Sequence, residues 1–225
     1  MAARSETNGG GRPSRDPEEI ERPALDPEVD ARRRAALALI RTFGDPALRA
    51  KARKVTRFDE ALTAEVARMG RVMSDALGVG LAATQLGVMH RLLVYRTAPD
   101  APLIAVANPL IEWMSQETEL GEEGCLSLPG VLVDVERALH VRVAALDEHG
   151  EEISIEASGM DARVIQHEVD HLDGVLILDR TDTEQRKEAM RILREGPPAP
   201  GDVAATAIDS AEGSGAAAAG GSTRA

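Results

Sequence analysis

The clearest hydrophobic pattern in the chain has helical spacing and follows Asp59. Its apolar residues recur three or four positions apart, which places them on one face of a helix. Aspartate is a favourable first residue because its carboxylate accepts hydrogen bonds from the free N–H groups of the first turn. The pattern therefore predicts an amphipathic helix over about residues 59–76. Its apolar face consists of Leu62, Val66, Met69, Met73 and Ala76.

Two shorter patterns predict β-strands. Residues 92–95 and 103–106 are continuous apolar runs, as expected of buried strands. In residues 141–145 and 153–155 apolar side chains alternate with other side chains, and a turn-forming stretch separates the two runs. This arrangement predicts a β-hairpin.

Two further helices are predicted in the second half of the chain. One begins after Gly159, is about 14 residues long and ends near Gly174, since glycine commonly follows a helix. Residues 175–178 are predicted to be extended, and a last helix is predicted over 182–194. Because the strands do not alternate with helices in βαβ order, the predicted fold class is α+β.

The ends of the chain differ in composition from its middle. Residues 1–33 are polar, mixed in charge and interrupted by glycine and proline, which predicts a disordered N-terminal extension. Residues 196–225 are rich in alanine and glycine, which predicts a low-complexity, disordered tail. One folded domain is therefore expected over residues 34–195.

Composition narrows the class of protein. A formal net charge of −12 argues against capture of DNA or of an anionic membrane surface. A single cysteine excludes an intramolecular disulfide. The apolar runs are shorter than the roughly 18 residues that a membrane helix needs. The acidic N-terminal region fits neither a signal peptide nor a transit peptide. We therefore expect a soluble cytoplasmic protein.

Three short segments carry candidate chemistry: residues 78–85 (GVGLAATQ), 123–129 (EGCLSLP) and 166–171 (QHEVDH). His167 and His171 are four positions apart, so on a helix both rings lie on one face and reach one metal ion. A glutamate between them is placed to move protons of a metal-bound water. Cysteine offers a third ligand, which leaves the fourth tetrahedral position open, as in catalytic sites.

Other interpretations of these residues stay open on the sequence alone. The histidines would serve equally well in structural hydrogen bonds, and Cys125 as a buried apolar residue or as a nucleophile. Gly78 and Gly80 are not a phosphate loop, because the third glycine and the lysine are absent. Gln85 is an amide donor and becomes a candidate for stabilising an oxyanion beside such a site.

In their order, spacing and amino-acid identities, the three segments resemble those of peptide deformylase, the bacterial and organellar enzyme that removes the formyl group from the first methionine of new polypeptides. The resemblance extends from about Leu39 to Arg194. It implies an α+β fold in which small mixed or antiparallel sheets pack around a central metal-binding helix. It also implies that the substrates are N-formylmethionyl nascent peptides and that formate is released.

The resemblance implies roles for the residues of the motifs. Hydroxide formed on the metal would attack the formyl carbon, with Glu168 as the acid/base. Gln85 and the main-chain N–H of Leu126 would hold the developing oxyanion. The metal ion would be Fe²⁺, with Zn²⁺, Ni²⁺ or Co²⁺ as alternatives that the ligand types also suit. Its ligands would be Cys125, His167 and His171.

Further residues are assigned to the substrate by the same resemblance. Main-chain groups of Gly80 and Gly124 would pair with the extended substrate backbone, as in strand addition. The helix over 182–194 is basic, and the resemblance makes a contact with the ribosome reasonable, although a solvent-exposed face with ion pairs is an alternative. The walls of the methionine pocket would be Val79, Met160 and Val164.

The chain departs from the family at two positions. Many members carry an acidic residue just before the glycine segment and an arginine three positions after the proline of the cysteine segment, where this chain has Leu77 and Leu132. We interpret the pair as an ion pair replaced by apolar side chains, with altered substrate preference or weak activity as the alternative. Two other functions compete with deformylation: a zinc endopeptidase, and a non-catalytic protein that only binds metal or peptide N-termini.

Overall fold

The computed structural model describes residues 25–195 of the 225-residue chain. It contains helices, strands and three short 3₁₀ helices, and the predicted α+β class is confirmed. The helices are α1 (Pro27–Leu37), α2 (Glu60–Asp75), α3 (Met160–Leu172) and α4 (Thr183–Glu195). The strands are β1 (Gly80–Ala82), β2 (Leu92–Tyr95), β3 (Ile104–Met114), β4 (Thr118–Cys125), β5 (Leu128–Ala138), β6 (His140–Leu146) and β7 (Glu152–Ser158).

The strands form two sheets in the described residues. Five of them pair in the order β1-β2-β3-β6-β7, so β1 and β7 are the edges of this sheet. The other two, β4 and β5, form a separate hairpin. All these pairings are antiparallel. The sheets are thus small and antiparallel, one of the two forms expected.

Helix α3 lies at the centre of the molecule. Its residues from Ala162 to Leu172 are all buried, charged ones included. Val164 and Ile165 pack in one apolar cluster with Leu93 and Val143 of the five-stranded sheet. Helix α2 packs on a second cluster, and a third lies between the β4–β5 hairpin and α4. The elements therefore surround α3, as the resemblance implies.

Most sequence-predicted elements are confirmed. Asp59 caps α2, accepting hydrogen bonds from the N–H groups of Ala61 and Leu62 at 3.1 and 3.3 Å. Strand β2 has the predicted bounds, and β6 and β7 form the predicted hairpin. Helix α3 ends at Leu172, just before Gly174, whose φ is +76°.

Two predictions are wrong. Residues 175–178 are not extended throughout: Ile177–Asp179 form a 3₁₀ helix, because the Asp179 carboxylate accepts a hydrogen bond from Leu176 N at 2.9 Å and closes the turn. Residues 27–33 are helical rather than disordered, since Asp26 caps α1 and accepts from Glu28 N at 2.9 Å. The other residues predicted to be disordered, 1–24 and 196–225, lie outside the described part. Within residues 25–195, no helix has both the length and the apolar character to cross a membrane.

Candidate active site

The three predicted metal ligands meet in one buried group. The ligand atoms of Cys125, His167 and His171 all lie within 4.8 Å of one another. Cys125 Sγ is 3.2 Å from His171 Nε2, and the two imidazole rings are 4.9 Å apart between centroids. Helix α3 supplies both histidines one turn apart, and β4 ends at Cys125, next to a register shift in the hairpin.

The chemistry of this donor set fits a divalent metal ion. A thiolate and two imidazoles are ligands that Zn²⁺ and similar ions accept in tetrahedral sites. His167 Nδ1 lies 2.9 Å from Glu123 Oε2, and a proton shared there leaves Nε2 free for a metal. Two buried atoms, His171 Nδ1 and Glu168 Oε2, have no hydrogen-bond partner among the described residues. Glu168 Oε2 therefore has capacity left for a ligand or a water molecule.

Burial shifts the protonation of the groups around this centre. It raises the pKa of Glu168 to about 7, although the charge of His167 opposes the shift. It lowers the pKa of His171 well below the usual value, and His167 adds to this. For His167, hydrogen bonds with Cys125 and Glu123 outweigh burial and raise the pKa. A carboxyl group with a pKa near 7 is suited to exchange protons at neutral pH.

The Gln85 side chain is fixed next to the cysteine. Its Oε1 accepts a hydrogen bond from Ala82 N at 2.9 Å. Its Nε2 donates to Ser127 Oγ at 3.2 Å and lies 3.7 Å from Cys125 Sγ. A short 3₁₀ helix, Ala83–Leu86, carries the residue. The amide is thus an oriented donor at the edge of the group, as an oxyanion donor must be.

A pocket opens onto these side chains. It brings together most of the predicted site residues, but His171 and Met160 do not line it. His171 contacts the lining residue Cys125, whose Sγ is 3.2 Å from His171 Nε2. Met160 instead packs at the start of α3 against the apolar cluster of the five-stranded sheet. The lining residues are Gly78, Val79, Gly80, Gln85, Gly124, Cys125, Leu126, Val164, His167 and Glu168.

Leu77 and Leu132 lie beside these segments but do not line the pocket. Leu77 has a φ of +61°, an uncommon conformation for a branched side chain, and it is 37% exposed. Leu132 is half-buried and pairs with Gly124 across the β4–β5 hairpin. The exchange of an ion pair for apolar side chains at these positions stays a hypothesis.

A buried charge cluster next to the metal ligands was not identified from the sequence. It consists of Glu123, Arg137, Arg163 and Asp170. Glu123 is completely buried and accepts from Arg137 Nε at 2.9 Å and from Arg163 Nη1 at 3.0 Å. Burial would raise the pKa of Glu123, but hydrogen bonds from His167 and Arg137 outweigh it and lower the pKa. Asp170 accepts from Arg137 Nη1 at 2.6 Å.

One sequence signal for this cluster was available. Glu123 and Asp170 are charged residues within the cysteine and histidine segments, two residues before Cys125 and one before His171. The arginines that pair with them are distant in sequence, so the pairing itself follows only from the fold.

Comparison with known proteins agrees with this geometry. A family model described as polypeptide deformylase matches residues 37–187. The peptide deformylase of Acidothermus cellulolyticus is 47% identical over 160 residues, which are 71% of this chain and 87% of that protein. The crystal structure of peptide deformylase from Thermotoga maritima matches with a TM-score of 0.62 at 46% identity, covering 64% of this chain and 96% of that one. The structure of a peptide deformylase from Synechococcus elongatus in complex with actinonin gives 0.66 at 39% identity, with 71% and 88% covered. This chain belongs to the peptide deformylase family.

Proposed function

We propose that this protein removes the N-formyl group from the N-terminal methionine of newly made polypeptides and releases formate. The observation that carries the proposal is the buried group of Cys125, His167 and His171, of which Cys125 and His167 line one pocket together with Glu168 and Gln85. The family of the chain supports the same reaction. A metal-dependent amide hydrolysis needs ligands, a proton carrier and an oxyanion donor, and all three lie within this pocket.

Cys125, His167 and His171 would hold one divalent metal ion. When bound, such an ion polarises the carbonyl oxygen of the substrate and makes water a stronger nucleophile at neutral pH. We propose Fe²⁺ as the native ion, on the basis of the resemblance, with Zn²⁺, Ni²⁺ or Co²⁺ as ions that the same ligands accept. Glu123 would keep His167 in the tautomer that presents Nε2 to the ion.

Glu168 would carry the proton during the reaction. Its carboxylate would take a proton from the attacking water and return it to the amine nitrogen as formate leaves. Its pKa of about 7, raised by burial, supports both directions of transfer near neutral pH. Its Oε2 has no hydrogen-bond partner among the described residues and is free to accept that proton.

Negative charge that develops on the formyl oxygen would be held by Gln85 and by the main-chain N–H of Leu126. Gln85 Nε2 is already oriented by Ser127, so little reorganisation is needed when the charge appears. Losing one such donor typically lowers the rate by about 10²–10³.

The substrate backbone would bind as an added strand. Gly80 lies on β1, an edge of the five-stranded sheet, and Gly124 lies near the end of β4. An extended peptide in the pocket between them would exchange main-chain hydrogen bonds with both glycines. Val79 and Val164, which line the pocket, would contact the methionine side chain. Met160, four residues before Val164 on α3, is the less direct candidate because it does not line the pocket.

Substituting Gly80 with alanine is expected to lower the rate of deformylation by about 10²-fold, because it displaces the catalytic carboxylate. A Cβ at this position would overlap Glu168 Oε1 and would lie 2.9 Å from Val164 Cγ1. The measurement is kcat for formate release by the metal-loaded variant. Gly70→Ala, which crowds only the flexible Leu103 side chain and lies outside the pocket lining, serves as the control. Equal rates for the two variants would contradict the proposed position of Glu168.

We place the activity in the cytoplasm, where ribosomes make the proposed substrate, and propose that α4 contacts the ribosome. Three basic residues of α4, Arg186, Lys187 and Arg194, surround a shallow depression of about 290 Å³. Changing Lys187 and Arg194 to glutamate is expected to reduce cosedimentation with ribosomes, because the change reverses the charge that attracts RNA phosphates. Turnover of a free formyl-peptide should not change. Unaltered cosedimentation would contradict the contact.

The test of the proposed function is formate release by protein loaded with Fe²⁺ without oxygen. Formyl-Met-Ala-Ser is the substrate, and acetyl-Met-Ala-Ser and an unformylated peptide with internal bonds are the comparisons. Release of formate from the first peptide alone is expected. Cleavage of internal bonds would instead support the endopeptidase, and metal binding without any turnover would support the non-catalytic protein.

A further inference from the structure

The proposed metal ligands come from two parts of the fold that no strand pairing connects. Cys125 ends β4 in the two-stranded hairpin, whereas His167 and His171 lie on α3. In the described residues the hairpin and the five-stranded sheet are separate sheets. The distance between the sulfur and the imidazoles therefore depends on how the β4–β5 hairpin is held against α3.

Arg163 makes the most extensive polar contact between the two parts. It lies on α3 four residues before His167 and is only 4% exposed. Its Nη1 donates to Glu123 Oε1 at 3.0 Å and to Val135 O at 2.9 Å. Its Nη2 donates to Glu119 O at 2.8 Å. Its Nη1 also lies 3.5 Å from Gly121 O. One planar guanidinium thus has four acceptors on the hairpin, spread over both of its strands.

Strand β4 has a glycine, and so no side chain, at the point where the Arg163 guanidinium lies against the hairpin. Gly121 of β4 is next to Arg163, and a Cβ there would stand 2.9 Å from both Cζ and Nη2 of the arginine. The φ of Gly121 is not positive, so its backbone does not require glycine. Glycine is needed here because any side chain at position 121 would occupy the space of the Arg163 guanidinium. A larger residue at this position would therefore displace Arg163.

One residue, Glu123, connects Arg163 to the proposed metal ligand His167. Glu123 accepts from Arg163 through Oε1, and its Oε2 lies 2.9 Å from His167 Nδ1. Cys125 is two residues further along the same strand. A shift of the guanidinium therefore moves Cys125 and the partner of His167 together relative to α3.

We propose that Arg163 is a positioning residue for the metal ligands: by docking the β4–β5 hairpin on α3 through the space at Gly121, it sets the separation of Cys125 from His167 and His171. The inference rests on the proposed metal site. Arg163 itself does not line the pocket, and the hydrogen-bond partners of its side chain are residues of the hairpin rather than the proposed ligands. Its effect is exerted on the geometry of the site before any metal binds.

Arg163→Lys is the principal test. Lysine keeps the positive charge but replaces the planar fork with one ammonium group, which cannot bind these separated acceptors in the same way. Loss of an outer partner of a metal ligand typically weakens metal binding by about 10–100-fold, and we expect a rise of the Co²⁺ dissociation constant in that range. Gly121→Ala should change it in the same direction.

The measurement is competition for Co²⁺ with a chromophoric chelator, with the thiolate-to-cobalt absorption band as a second readout. Each variant has a matched control. Arg91→Lys changes another largely buried arginine that binds a carbonyl and a carboxylate, Pro109 O at 3.1 Å and Asp173 Oδ1 at 2.8 Å. Gly70→Ala, the control for Gly121→Ala, crowds the Leu103 side chain, which packs against the apolar cluster of α2, and does not touch the guanidinium of Arg163. All proteins are measured at a temperature at which circular dichroism shows them folded.

A purely structural role predicts a different result. If Arg163→Lys and Gly121→Ala lose stability like their controls but bind Co²⁺ as tightly as the wild type, with an unchanged absorption band, the inference is wrong. If Arg163→Lys does not fold, Gly121→Ala alone decides the question by the same comparison. Failure of the wild type to bind Co²⁺ would overturn the proposed metal site itself, and the positioning role with it.

Discussion

Replacing Glu168 with glutamine is expected to lower formate release by about 10²–10⁴-fold, the usual contribution of a general acid/base, while the protein still binds its metal. Glutamine has the size of the buried glutamate but cannot take up a proton from water or deliver one to the departing amine. The three proposed ligands are untouched, so the metal content should equal that of the wild type. Single-turnover formate release and metal analysis of the same sample measure both quantities.

Glu65→Gln is the matched control for this substitution. Glu65 also has a buried carboxylate oxygen without a partner in the described residues, and it pairs with His90 at 2.8 Å, away from the pocket. Its replacement should leave formate release unchanged. If Glu168→Gln retained the rate of this control, the proton carrier would have to be another group. If it lost its metal, the loss of activity would not report on proton transfer.

Replacing Glu123 with alanine is expected to lower the free energy of unfolding by about 3–5 kcal/mol, the usual effect of removing one partner of a buried ion pair. Glu123 is fully buried, and the side chains of Arg137 and Arg163 are each only 5% exposed. Without the carboxylate, two guanidinium groups would face each other in the interior with fewer acceptors. The substitution also leaves a cavity, which adds to the loss.

Urea unfolding of metal-free protein, prepared with a chelator, measures this loss without the contribution of a bound ion. Glu119→Ala is the control, because the Glu119 carboxylate is 53% exposed and lies 3.8 Å from the same arginine, Arg163. An exposed pair of this kind contributes about 0–1 kcal/mol. Similar losses for the two variants would mean that the buried charge cluster does not stabilise the fold.

The elements that could be predicted from the sequence are those whose signals are local. Asp59 and the apolar spacing after it define α2 because capping and amphipathicity both act within a few turns. The hairpin of β6 and β7 was predictable from alternation on either side of a short turn. Helix α3 combined a helical pattern with Gly174 at its end.

The β4–β5 hairpin was missed although one of its strands alternates clearly. Val131, Val133 and Val135 are buried and their neighbours are not, but glycine and glutamate dominate β4, and neither favours a strand. Its pairing depends on the apolar cluster that it forms with Leu176 and Leu178, distant in sequence. Tertiary contacts of this kind override local propensity and cannot be seen in a short window of sequence.

The same division applies to the candidate site. His167, Glu168 and His171 share one helix, so their proximity follows from helical spacing alone. Cys125 could be placed beside them only through its ligand chemistry and the resemblance, because no local pattern brings residue 125 to residue 167. The arginines of the buried charge cluster had neither kind of signal. Arg137 and Arg163 look like ordinary surface residues in sequence, and only the packing of α3 against the hairpin buries them.

The shortness of strand β1 has a consequence for association between protein molecules. A sheet edge that accepts a peptide also offers free N–H and C=O groups to the edge of another sheet, which is a common route to aggregation. Strand β1 contains only Gly80–Ala82, all buried, whereas an average strand has about 5–6 residues. A chain terminus that binds as proposed would need only a few main-chain hydrogen bonds from this edge, but the long strand of a second protein would form too few to stay attached. Its short length thus limits pairing with another sheet at this edge, while the edge can still serve the proposed binding of a peptide.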